Sequence, residues 1–251
     1  WFARSIGTPT AVQEAAWPAI ASGSHTLVSA PTGTGKTLAA FLVFIDRLQK
    51  MALEGTLKQE LYLIYVSPLK SLAGDIRENL RRPLEGILRV QEQEDGRKPP
   101  SLSVAIRTGD TPQSERRRML KSPPHILITT PESLYLMLTS AARETLANVE
   151  AVIVDEIHAL AATKRGSHLA LTLERLEARC ATPPQRIGLS ATQRPLEEIA
   201  TYLGGFASPG VRRPVTVVDA GMRKELQVEV VVPVEDMGAL GALKPDIEPR
   251  A

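Results

Sequence analysis

The sequence is poor in cysteine and in aromatic side chains. Cys180 is its one thiol, which excludes an internal disulfide and a cysteine-built metal centre. It shares a helical stripe with Leu169, Leu173 and Leu176, the pattern of a small buried hydrophobe rather than a reactive thiol. Aromatics make up 4% of residues against 43% hydrophobic in all, so the core has to be aliphatic. Long apolar runs are missing too. The longest, residues 38–45, falls far short of the roughly 20 residues that a membrane helix needs. No signal-peptide pattern opens the chain, so a cytoplasmic protein without membrane contact is expected. Nor is there an excess of either charge. At a net charge of +2, any nucleic-acid contact must come from a local patch rather than a global field. The chain opens on Trp1 rather than Met, which reads as a piece of a longer product.

What is present is an alternation of short apolar runs with helical patterns. Strands are expected at residues 26–29, 61–66, 102–106, 126–129, 151–154 and 186–190. They lack in/out polarity, so both faces are expected to be covered. One helix carries Leu38, Phe41, Leu42, Ile45 and Leu48; a second carries Leu69, Leu72, Ala73, Ile76 and Leu80; a third runs over about residues 167–178. Strands separated by helices imply an α/β fold, a mainly parallel sheet with helices on both faces. QEQEDGRKPP (91–100) reads as an exposed, Pro-ended loop. After Gly204-Gly205 the composition changes, and Leu226, Val228, Val230 and Val232 alternate with polar residues as a further strand. Residues 1–207 are therefore read as one domain and 208–251 as a connector.

In open α/β sheets, sites form beyond the carboxyl ends of the strands. After the first strand comes APTGTGKT, that is Ala30, Pro31, Thr32, Gly33, Thr34, Gly35, Lys36 and Thr37, and then a helix. Glycines let such a loop aim backbone N–H groups at an anion, and the helix start adds partial positive charge. A lysine here reaches the outer phosphates of ATP, and the hydroxyl of Thr37 suits Mg²⁺. The fifth strand runs straight into Asp155 and Glu156, with His158 two places on. Buried carboxylates need a cationic partner. A magnesium nucleotide on the loop supplies one: Asp155 would hold Mg²⁺, and Glu156 would orient or deprotonate the attacking water. His25, His125 and His168 share no ligand spacing, so no other metal is expected.

APTGTGKT, SPLKSLAGDIRENL, RTGDTP, ITTPESLYLMLTS, VDEIHAL, KRGSHLALTLERL and LSATQRPLEEIA occur in an order that resembles the first RecA-like lobe of a superfamily 2 DExH-box helicase. The large helicase-related family of nucleic-acid translocases is the nearest likeness, over roughly residues 1–235. The resemblance implies a RecA-like P-loop NTPase domain that hydrolyses ATP. It implies that Gln13, after Thr8-Pro9-Thr10, recognises adenine. It implies that His158 links the ATP site to Ser190-Ala191-Thr192, where Ser190 and Thr192 couple hydrolysis to lobe movement, their hydroxyls reaching His158 or Asp155. It further implies 3′-to-5′ movement on single-stranded DNA, opening of tailed DNA or RNA–DNA duplexes, and a role in DNA repair. A second RecA-like lobe with a transition-state arginine, and accessory domains, belong to that picture. Such an arginine is worth about a thousandfold or more in related NTPases, so this chain alone is expected to hydrolyse ATP poorly.

Three further loops follow strands. Pro68 and Lys70 lie in SPLK, and Lys70, Gly74 and Arg77 share a helix face. RTGDT offers Thr108, Gly109 and Thr111. TTPES offers a helix start at Thr130, Pro131, Glu132 and Ser133. The family likeness assigns these loops to the sugar-phosphate backbone of one strand. A solvated face explains Lys70 and Arg77 equally well, and it is the better reading of Arg116-Arg117-Arg118, Arg81-Arg82 and Arg212-Arg213. A nucleotide-dependent nucleic-acid clamp, or an RNA helicase without a repair role, fits the same motifs. A small-molecule kinase fits only the phosphate loop. A transporter ATPase would also need a second Gly-rich signature, which RTGDTP and TTPESL are not.

Overall fold

Runs of β-branched residues and leucine become short strands because each is buried on both faces. The computed structural model describes residues 1–96 and 100–221; the alternating run 226–232 lies outside the described residues. In chain order the elements are α1 (Phe2–Ser5), α2 (Ala11–Ala21), β1 (Thr26–Ser29), α3 (Lys36–Leu53), β2 (Leu63–Val66), α4 (Lys70–Asp95), β3 (Val104–Arg107), α5 (Gln113–Lys121), β4 (Ile126–Thr129), α6 (Pro131–Leu138), a 3-10 turn (Ala141–Leu146), β5 (Ala151–Val154), α7 (Ile157–Ala161), α8 (Lys164–Arg179), β6 (Gln185–Ser190), α9 (Leu196–Gly204), β7 (Phe206–Ser208), β8 (Val211–Arg212) and β9 (Thr216–Asp219).

Seven strands form one parallel sheet in the order β3-β4-β2-β5-β6-β1-β9. Alternate residues feed two cores. Val28, Leu63, Tyr65, Ile128, Ile153 and Leu189 pack with α2, α3 and α4. Leu27, Ile64, Val66, Leu127, Val152 and Val154 pack with α5 to α9. The expected doubly covered α/β sheet is what forms, and it places related loops side by side. Strands β5, β6 and β1 are neighbours, so the loops after them share one end of the sheet. Strands β2, β4 and β3 are neighbours on the other side.

Some expectations shift. Residues 91–95 are not loop: they extend α4 to Asp95, and Gly96 ends the helix in the left-handed region at φ 64°. Gln, Glu and Asp side chains there are compatible with a helix, and glycine at that φ is a usual stop. Leu69 leaves the apolar stripe, serving as the exposed N-cap of α4. Helix α8 starts at Lys164, because Thr163 caps it by accepting the Gly166 N–H at 3.0 Å. Residues 216–219 add an edge strand beside β1. Cys180 ends α8 half-buried against the second core, and burial pushes its thiol up to about 11.

Candidate functional site

The loop after β1 is closed by its own polar groups. Gly33 and Gly35 adopt φ 81° and 84°, values that side chains rarely tolerate. The Thr34 hydroxyl donates to the Pro31 carbonyl at 2.8 Å, and Lys36 Nζ donates to the Ala30 carbonyl at 3.3 Å. Helix α3 starts at Lys36 itself, so its first N–H groups face the loop's concavity. The segment before α2 is tied to this loop. Thr10 caps α2 in a reciprocal box with Gln13: the Thr10 N–H donates to Gln13 Oε1 at 3.0 Å, and the Gln13 N–H donates to Thr10 Oγ1 at 3.3 Å. The Thr10 hydroxyl also donates to the Thr34 carbonyl at 3.0 Å. The Gln13 amide nitrogen lies against Gly35, where an added Cβ would come within 2.6 Å of it. Gln13 thus arrives at the loop with its amide oxygen already used.

The acid loop meets this cradle. Glu156 Oε1 stands 4.0 Å from Lys36 Nζ, and Glu156 Oε2 stands 3.4 Å from His158 Nε2. His158 Nδ1 accepts the Ala191 N–H at 3.2 Å, which leaves Nε2 to carry the proton facing Glu156. Glu156 is the sole non-glycine residue with positive φ among the described residues, at 46°. Such a conformation costs on the order of 1 kcal/mol and clusters at functional sites. Asp155 is 6% exposed and, among the described residues, pairs with no lysine or arginine. Its Oδ1 accepts the Glu156 N–H at 3.0 Å, and its Oδ2 accepts the Tyr65 hydroxyl in a short hydrogen bond. Burial pushes the Asp155 carboxyl above the usual carboxylate range, and the same burial raises the Tyr65 phenol. A cavity of about 870 Å³ opens beside these groups, lined by Thr32, Gly33, Lys36, Thr37 and Glu156 among others.

Ser190 and Thr192 are not joined to His158 or Asp155 by their hydroxyls. Ser190 Oγ donates to its neighbour's carbonyl at 2.9 Å, Thr192 is exposed, and the Ala191 main chain makes the contact instead. Tyr65 was missed at sequence level. Its signal was a phenol in an otherwise apolar strand, since a buried tyrosine hydroxyl needs a partner.

On the other half of the sheet, Lys70 reaches Asp110 at 2.9 Å across the gap between SPLK and RTGDT. Arg77 and Gly74 are exposed on the same helix. The RTGDT turn is held from inside: the Thr108 N–H donates to Thr111 Oγ1 at 2.9 Å. Arg116 is partly buried and engaged. It grips the carbonyls of Thr111 at 2.8 Å, Thr108 at 3.2 Å and Gly109 at 2.8 Å. Thr130 caps α6 by accepting the Ser133 N–H at 3.4 Å, with Pro131 next. The Glu132 carboxylate is taken by Arg165, whose remaining nitrogen donates to the Pro68 carbonyl. That hydrogen-bonded pairing holds the Glu132 carboxyl down at about 2. Arg213 is likewise no free surface charge: it joins Glu174 and Glu177 in a half-buried cluster around the buried Arg186.

A phosphate-type loop after β1, with an acid pair two strands away on one parallel sheet, defines a P-loop NTPase lobe of the RecA-like kind. The chain belongs to the DEAD/DEAH box helicase family, whose profile matches residues 10–199. It is 55% identical over 252 residues to the Lhr helicase/probable uracil glycosylase of Mycolicibacterium smegmatis, covering 100% of this chain and 16% of that protein. It is 48% identical over 240 residues to the ATP-dependent helicase Lhr-Core of Methanothermobacter thermautotrophicus, covering 95% of this chain and 27% of that protein. A solved structure of Mycobacterium smegmatis helicase Lhr bound to ssDNA and AMP-PNP matches at 53% identity and TM-score 0.82, over 96% of this chain and 30% of that one. The chain therefore spans less than a third of each of these relatives. The likeness to the large helicase-related family, seen first in the order of motifs, is borne out.

Proposed function

We propose that this chain is the N-terminal, ATP-binding motor lobe of an ATP-dependent nucleic-acid translocase. It would move 3′-to-5′ on single-stranded DNA and open tailed DNA or RNA–DNA duplexes in DNA repair, in the cytoplasm. One observation carries the reading: Lys36 and Glu156, far apart in sequence, stand 4.0 Å apart beside the glycine loop. In this reading residues 30–37 cradle the phosphates of ATP, and Gln13 presents its amide nitrogen to the base. The residues fit Mg²⁺: Asp155 is a buried carboxylate with no cationic partner in contact among the described residues, and Thr37 lines the same cavity as Lys36 and Glu156. Thr37 and Asp155 would hold the ion, which supplies charge neutralisation at the phosphates. With Lys36 turned toward the phosphates, Glu156 Oε1 is left to accept a proton from the attacking water. The His158 Nε2–H keeps that carboxylate aimed. His158 in turn senses the segment after β6 through Ala191, which links hydrolysis to Ser190 and Thr192.

Lys70, Arg77 and the loops at Thr108, Gly109, Thr111 and Thr130–Ser133 would follow the sugar-phosphate backbone, which suits movement along any sequence. The relative solved with ssDNA supports a single strand as the partner. Residues 1–207 form the motor lobe in this proposal, and 208–251 lead toward a second RecA-like lobe, with 216–219 annexed to the first lobe's sheet.

The test is ATP turnover by the intact protein, with and without single-stranded DNA or RNA, together with displacement of a tailed duplex. Strand-stimulated turnover with displacement is expected, and Lys36→Ala lowers it by at least about a hundredfold. The 251-residue chain by itself turns over slowly. Stimulation without displacement means a clamp; stimulation by RNA alone means an RNA helicase; stimulation by neither polymer defeats the motor reading.

A further inference from the structure

Arg165 belongs to none of the loops discussed so far, yet it touches two of them. It is the second residue of α8 and is half-buried. One guanidinium nitrogen donates to the carbonyl of Pro68, in the loop after β2. The other two donate to the Glu132 carboxylate in the first turn of α6, after β4, with Nη2 at 3.0 Å from Oε2. A planar fork with fixed donor directions can do this, whereas a single ammonium cannot satisfy three acceptors set that way.

The start of α8 is itself held hard against the acid loop. Glu156 is the N-cap of α7, and α7 leads directly into Thr163, the cap of α8. Gly166 sits so close to α7 that an added Cβ would lie 1.9 Å from the Leu160 carbonyl oxygen. The Tyr202 hydroxyl clamps the Gly166 carbonyl at 2.7 Å from the far side. Movement of the acid loop therefore has a short, stiff route to Arg165, and from there to both strand-facing loops.

We propose that Arg165 is a positioning residue that holds the loops after β2 and β4 in one register and makes that register follow the acid loop. The proposal rests on the assignment of those loops to a nucleic-acid strand. Charge adds a second reason for the residue. A bare Glu132 carboxylate beside a phosphate backbone would repel it, and Arg165 neutralises that carboxylate while fixing it in place. Carboxylate and carbonyl together define the angle between the two loops, so loss of the fork lets them move independently.

The experiment is ATP turnover by the intact protein against increasing oligodeoxythymidylate, with direct binding of the same labelled oligonucleotide. For Arg165→Ala the apparent KM for the oligonucleotide rises on the order of tenfold, and strand-free turnover stays within about twofold of the parent. Arg165→Lys keeps the charge and guards against misfolding; it falls between parent and Arg165→Ala because it cannot hold both partners. A fold defect alone would lower strand-free turnover and the KM effect together, and would not be graded by Lys. Parent-like KM and binding in Arg165→Ala, with the parent itself strand-stimulated, overturns the positioning role. A parent that no strand stimulates overturns the loop assignment first, and the role of Arg165 with it.

Discussion

Asp155 shows how a single side chain can oppose stability for the sake of a site. Burial raises its folded pKa above the ordinary carboxylate value, against the hydrogen bond from Tyr65, which acts the other way. The contribution to stability is thus fully present below the unfolded pKa and is lost as pH rises through the folded one. The ionised form of this carboxylate, on a residue 6% exposed, is therefore the form that folding disfavours. Asp155→Asn removes that charge, and the Tyr65 hydroxyl can turn to accept from the new amide. We predict that the variant is more stable than the parent by about 1 kcal/mol, a rise of ~2–4 °C in melting temperature, and hydrolyses no ATP. Calorimetry of the two ligand-free proteins at pH 7 checks it, and the gap should narrow as the pH is lowered and the parent carboxyl protonates. The acid pair was legible from VIVDEIHAL only together with APTGTGKT, because two carboxylates at a strand end fit a solvated rim equally well until a phosphate loop is there to bring a cation. The Tyr65 contact was not, since β2 reads as a plain core strand and its partner lies 90 residues away.

Among the elements, α7 and α8 form a tight backbone-to-backbone junction beside the site. Gly166 is in ordinary helical conformation, so its smallness is required by proximity rather than by φ. Gly166→Ala places a methyl carbon against the Leu160 carbonyl, and neither backbone can yield without moving α7. We predict a loss of ~3 kcal/mol, read as a lower urea midpoint, accompanied by reduced turnover because His158 rides on α7. Helix boundaries in this region were only partly legible. Apolar spacing located the body of α8, but the cap at Thr163 lies outside the periodic stripe. Arg116 was misread for a similar reason. In sequence it is one of three arginines on a short polar helix, and only the folded RTGDT turn supplies the carbonyls that occupy it.

The whole molecule is joined at its two ends by different means. At the carboxyl end of the sheet the loops are held by hydrogen bonds that can be exchanged. At the opposite end Arg186, 1% exposed, is locked to Glu174 and Glu177 together with Arg213, and to the carbonyls of Leu203 and Gly204. Arg213 comes from beyond residue 207, as does β9, which covers the edge of β1. A chain stopped at residue 207 would strip both. We predict that it is less stable than residues 1–221 by on the order of 3 kcal/mol, because two carboxylates are left with one buried arginine. Denaturant titration of the two chains, compared at one pH, decides this. Equal midpoints would mean that the lobe ends at 207 in energy as well as in composition.

By itself the sequence determined the alternation of strand and helix, the glycine loop, the acid pair and the order of motifs. These are local: a doubly apolar strand, a left-handed glycine and a helix start depend on neighbours within a few residues. Tertiary structure alone decided which loops meet. Strand order is a property of the folded sheet, so only folding brings Lys36 to Glu156, and Ala191 rather than a hydroxyl to His158. Long charged side chains are the extreme case. Arg116, Arg165 and Arg213 look alike in sequence as solvated cations, because what distinguishes them is the carbonyl or carboxylate that a distant segment leaves within reach.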